Sequence, residues 1–150
     1  MDNHESGPDQ DHRPPPHADE ATVTAVGRLT EALETVERAR GHLYSFHQLT
    51  GTADLQLGDA CDQLREAGHG ELADRVEREL VGRNVLPGRW TFQIMEEYDD
   101  GYWSLFRGLE REVRDALVGG RRHLAEAGMK EDRRSHGETG HEARPGPADS

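Results

Sequence analysis

The sequence predicts an all-α protein, a helical bundle of two long antiparallel helices with a short helical hairpin against them and a disordered tail at each end. Three observations carry this expectation. All 26 Leu, Ile, Val and Phe residues lie between Val23 and Leu124. Within that stretch apolar residues recur mostly at spacings of three, four and seven, the period of one helix face. No segment shows the period-two alternation of a half-buried strand.

Each element follows in order. Residues 1–18 hold Pro14-Pro15-Pro16 and no Leu, Ile, Val or Phe, so they read as a stiff acidic tail. The helical domain is expected over 19–128. Its first helix, about 21–50, presents Val26, Leu29, Leu33, Val36, Leu43, Phe46 and Leu49, with Asp19 as N-cap and Thr50-Gly51-Thr52 as a stop. A second helix, about 53–67, groups Ala53, Leu57, Ala60, Cys61, Leu64 and Ala67 on one face, capped by Thr52 and ended by Gly68-His69-Gly70. A third, about 71–81, carries Leu72, Ala73, Val76 and Leu80. The fourth, about 94–127, has the clearest stripe, from Met95, Tyr98 and Tyr102 through Leu105, Phe106, Leu109, Val113 and Leu117 to Leu124, with Gly101, Gly108 and Gly119-Gly120 as points of weakness. Residues 129–150 read as a second polar tail. The two long helices outreach the short pair, which leaves apolar stripe for a second copy of the chain to cover, a possible homodimer.

Composition narrows the function. The formal net charge is −12, with 33% hydrophobic and 32% charged residues. Nucleic-acid binding needs a net positive surface and is disfavoured. No apolar run suits a membrane span or a signal-peptide core. One cysteine allows neither an intrachain disulfide nor a four-cysteine zinc site. A cytoplasmic location is the expectation.

The connection at 83–93 is unusual for a loop. Pro87-Gly88 suits the centre of a type II turn, and six of the eight aromatic residues fall within 90–106. Trp, Tyr and Arg dominate binding hot spots. Arg83, Arg89, Trp90, Phe92, Tyr98 and Trp103 are therefore the candidate interaction surface for a protein partner. Within the group, Phe92, Tyr98 and Tyr102 are expected inward, and Trp90 and Trp103 partly exposed. The stretches Leu43–Gly51, Gly82–Gln93 and Glu96–Tyr102 together resemble a family of small acidic actinobacterial proteins with no known activity to transfer. The resemblance spans about 26–125. It implies an intracellular bacterial protein and assigns no catalytic residue.

Other constellations bear on chemistry. Glu96, Glu97 and Asp100, followed by Glu112 and Asp115, loosely resemble the acidic motifs of all-α nucleotide pyrophosphatases, which hold Mg²⁺ between carboxylates on facing helices. Here the position of a family Glu is Asp100, and both acidic sets fall on one expected helix. Glu66-x-x-His69 and Glu138-x-x-His141 fail as a di-iron set, because one lies at a fraying end and the other in a tail. His42 and His47 are not spaced as paired ligands. Cys61 belongs to an apolar face, as a buried thiol does. Arg107, Arg111, Arg114 and Arg121 fall within about a 100° arc opposite the apolar stripe, either an ordinary solvated face or a basic docking strip for an acidic partner or for the acidic N-terminal tail. The favoured function is a non-enzymatic protein acting through protein contacts, without a cofactor. The alternative is a Mg²⁺-dependent hydrolase.

Overall fold

The computed structural model describes residues 7–146, and among them it is all-α. Its helices are α1 (Glu20–Glu66), α2 (Gly70–Glu79), α3 (Thr91–Tyr98), α4 (Ser104–Val118) and α5 (Leu124–Arg133). A single π-helical turn, Asp99–Trp103, links α3 to α4, and a 3₁₀ turn occupies Gln10–His12. No described helix is long and apolar enough to cross a membrane. The described residues divide into two compact units, 7–34 with 106–146, and 35–105.

Helix α1 corrects the expected break at Thr50-Gly51-Thr52, because it runs through it without interruption. The Thr50 and Thr52 hydroxyls donate to the carbonyls of Phe46 (2.7 Å) and Gln48 (3.1 Å), and the backbone N–H groups that a cap would serve are already paired within the continuing helix. A lone glycine costs about 1 kcal/mol in a helix, which tertiary contacts can offset. The expected hairpin is thus the end of α1 followed by α2. The N-terminal expectation holds, since Asp19 Oδ1 accepts from the Thr22 N–H at 2.8 Å.

A heptad runs along α1. Val26, Leu33, Arg40, His47, Asp54 and Cys61 recur every seven residues, and Leu29, Val36, Leu43, Thr50, Leu57 and Leu64 follow three later. All twelve are half-buried or buried.

In the first unit the core is Val26, Val118 and Leu124, with Ala18, Val23 and Val113 packed on it. Gly27 permits close approach of α5, since a Cβ there would lie 3.2 Å from that of Ala125. Buried Glu110 (4% exposed) accepts from Thr30 Oγ1 at 3.1 Å and from Arg114 Nε at 3.0 Å. Arg114 also donates to the Gly120 carbonyl at 2.8 Å. Gly119 and Gly120 adopt positive φ and end α4, so the fourth helix stops at Val118 instead of reaching 127. Helix α5 then continues past residue 128 to Arg133. Arg134, itself buried, grips both Glu131 oxygens at 2.7 and 3.0 Å and holds that carboxyl down to about 2.

In the second unit the buried residues are Cys61, Ala73 and Met95. Partners along α1 run antiparallel to it: Glu37 meets Trp103, Arg40 meets Asp99 and His47 meets Thr91. Arg65 reaches Asp74 at 3.1 Å and also contacts Glu77, tying α2 back to the end of α1.

The π turn accounts for a further correction. One extra residue in a helical ladder rotates everything after it by about 100°. Tyr102, expected inward, is 56% exposed, while Trp103 takes the half-buried position. Downstream, Phe106, Glu110, Val113, Arg114 and Val118 face in, and Leu105, Leu109 and Leu117 are exposed.

Candidate functional site

The segment singled out by its aromatics borders a groove of the second unit. Residues Leu80–Arg89 make the connection after α2. Asp54 Oδ1 accepts from the Gly82 N–H at 2.8 Å, fixing the start of this loop on α1. Leu86 to Arg89 closes as a turn, with the Arg89 N–H on the Leu86 carbonyl at 3.0 Å and Gly88 at φ +72°, as a type II turn requires. Helix α3 begins where the Trp90 N–H donates to Gln93 Oε1 at 2.9 Å, and Thr91 Oγ1 is paired with His47 Nδ1 at 2.7 Å. These anchors leave a cleft of about 570 Å³ between α1, the end of α2 and the loop. Leu57, Leu80, Val85 and Trp90 supply its apolar wall, with Arg83 and Asn84 among its polar lining.

Trp90 stands at this cleft 54% exposed, its ring 5.1 Å from that of Phe92 in an edge-on arrangement. Phe92 is exposed as well, against the inward expectation. It lies at the second position of α3, while Thr91, Ile94 and Met95 take the covered side. Arg83 and Arg89 are exposed. Arg89 Nε pairs with Glu97 at 2.9 Å. Tyr98 and Trp103 belong elsewhere. Tyr98 is half-buried with its ring 5.9 Å from Tyr102. Trp103 donates from Nε1 to Glu37 at 3.1 Å and lies under the Arg40 guanidinium, 4.2 Å from the ring centre. Sequence inspection missed the contributions of Asp54, Leu57 and Leu80. Leu57 carried a signal as part of an apolar face, but the expected break at 50–52 hid its connection to the loop.

The Arg40–Asp99 contact governs the electrostatics beside the π turn. Its hydrogen bond holds the Asp99 carboxyl below its ordinary value and raises the Arg40 guanidinium above its own.

The remaining candidates separate. Among the described residues, one set of three or more His, Cys, Asp or Glu side chains brings its ligand atoms within 4.8 Å of one another, and it contains none of Glu96, Glu97, Asp100, Glu112 and Asp115. Glu97 is engaged by Arg89. The basic strip is also divided. Arg107 and Arg111 are exposed, whereas Arg114 turns inward to Glu110 and Arg121 donates to the Arg13 carbonyl at 2.5 Å. Arg114, expected on a solvated face or a docking strip, is therefore part of a covered pair with Glu110. Cys61 is a buried free thiol.

The chain matches no protein-family model, no curated protein and no solved structure.

Proposed function

We propose that this chain is a non-enzymatic protein-binding module whose partner seats on the cleft beside Trp90. The observation carrying this reading is an exposed indole at the mouth of a largely apolar cleft, beside exposed Phe92 and with Arg83 in the lining. Large aromatics and arginine on a rigid support are what binding hot spots are made of. The reading places the protein in the cytoplasm of a bacterium, supported by its single cysteine, a free thiol, and by the resemblance noted above.

The test is photo-crosslinking in cells from a reactive residue placed at Arg83. A crosslinked protein that disappears on Trp90→Ala, and persists on substitution of exposed Leu72 in α2, supports the reading. Crosslinks that ignore Trp90→Ala would end it. Self-association is a second reading, favoured by the exposed Leu105 and Leu109 of α4. Sedimentation at rising concentration, with Leu109→Glu as the dissociating variant, tests it.

A further inference from the structure

The first unit brings together three ligand-type side chains that sequence spacing cannot connect. Glu34 comes from α1, His123 from the residue before α5, and Glu126 from the first turn of α5. One ligand atom from each lies within 4.8 Å of the other two. The His123 ring nitrogen is 3.5 Å from Glu126 Oε1. His123 is the sole described non-glycine residue with positive φ, +58°. Arg121 lines the recess next to this set, and its guanidinium is bonded to the Arg13 carbonyl.

We infer that Glu34, His123 and Glu126 form a binding site for a divalent transition cation of the Zn²⁺ class. An imidazole with two carboxylates is a borderline donor set that suits Zn²⁺ and Co²⁺ better than Mg²⁺ or Ca²⁺, which take oxygen donors. Ligand bonds to such an ion are about 2.0–2.2 Å long. A shared centre therefore draws donors to roughly 3.4 Å from one another in a tetrahedral arrangement. All three side chains are exposed, so rotation about their own bonds closes the gap, and water completes the coordination. The ion ties α5 to α1 within this unit. The site is separate from the cleft at Trp90 and does not depend on partner binding there.

The test is a titration of the full chain with Co²⁺, read by the d–d absorption of the bound ion. Glu34→Gln, His123→Ala and Glu126→Gln are each expected to weaken binding tenfold or more. The ligands are exposed, so the variants should keep the wild-type helicity, which circular dichroism checks. His12→Ala, His136→Ala and His141→Ala are controls, because imidazoles near the chain ends can bind ions adventitiously. Co²⁺ absorption that survives all three site variants, or that is lost only in the controls, overturns the site. So does a chain that binds no Co²⁺ at millimolar concentration, since the direct His123–Glu126 contact would then account for the cluster. Zn²⁺ displacing Co²⁺ from the wild type, with loss of absorption, confirms the class of ion.

Discussion

Arg40 holds Asp99 by both carboxylate oxygens, Nε to Oδ1 at 2.7 Å and Nη2 to Oδ2 at 3.0 Å, at the first residue of the π turn. The same guanidinium covers the Trp103 ring from 4.2 Å. One side chain thus clasps both ends of the five-residue turn that reorients α4.

Arg40→Lys should lower the melting temperature by a few degrees although charge is conserved. Lysine cannot reproduce the forked contact or stack as a plane on the indole. Asp99→Asn should act in the same direction. The Asp99 carboxyl is held below its ordinary 3.8. Its contribution is accordingly present above that value and lost as pH falls through the lower folded-state value. Acid unfolding of wild type and Asp99→Asn, followed by circular dichroism, should converge at low pH. Curves that stay parallel would contradict the role given to this pair.

Glu131 offers a second acid-sensitive contact. Its folded-state value of about 2 compares with an ordinary 4.5, and the largest cause is the hydrogen bond from Arg134. The stabilisation is complete above 4.5 and disappears as pH drops through about 2. Carbon-detected titration of Glu131 should show the depressed midpoint. Arg134→Ala should return it toward 4.5, and His136→Ala should move it less, in keeping with the order of causes.

The burial pattern along α3 and α4 decides which substitutions hurt. Met95→Ala, at a buried position, should cost about 2–5 kcal/mol. Leu109→Ala, at an exposed one, should cost less than about 1 kcal/mol in the monomer. Urea unfolding of both variants measures this. Equal losses would mean that Leu109 is packed.

Intrinsic fluorescence separates the two tryptophans. Trp90 should be readily quenched by acrylamide, and Trp103, half-buried between Arg40 and Glu37, should be more protected. Single-tryptophan variants with Phe at the other position give each signal alone. Trp90→Ala should leave stability within about 1 kcal/mol, and Trp103→Ala should destabilise more. Two equally shielded indoles would remove the cleft as a contact surface.

The legible part of the sequence was periodicity. It revealed helical character, the Asp19 cap and the Pro87-Gly88 turn, because each depends on residues close in the chain. Gly101 reads as a weakness and lies at the centre of the π turn, but the turn itself was not legible, because its stabilising partner Arg40 sits 59 residues away. The continuity of α1 was hidden for a similar reason. Thr50-Gly51-Thr52 has the residues of a helix end, and two backbone carbonyls inside the helix occupy both hydroxyls. Gly119-Gly120 was noticed as a weakness but is a full stop, fixed by the bond from Arg114 to Gly120. The groove needed Asp54 and Leu57 beside Trp90, a proximity that arises only once the chain has turned back through α2.

The polar members of the α1 heptad have a consequence for how the second unit finds its pairing. Arg40, His47 and Asp54 stand one heptad apart, and each meets a different partner: a carboxylate on Asp99, a hydroxyl on Thr91 and a backbone N–H on Gly82. A heptad of leucines would tolerate a slip by seven residues, since every rung would look alike. Here a slip toward the N-terminus would set Leu33 against Asp99 and Arg40 against Thr91, and the opposite slip would set Asp54 against Thr91. The first slip leaves the Asp99 carboxylate facing an apolar side chain, and the second replaces the forked Arg40 contact with a single imidazole bond. The three rungs act as tumblers of different depth, and only one alignment turns the lock.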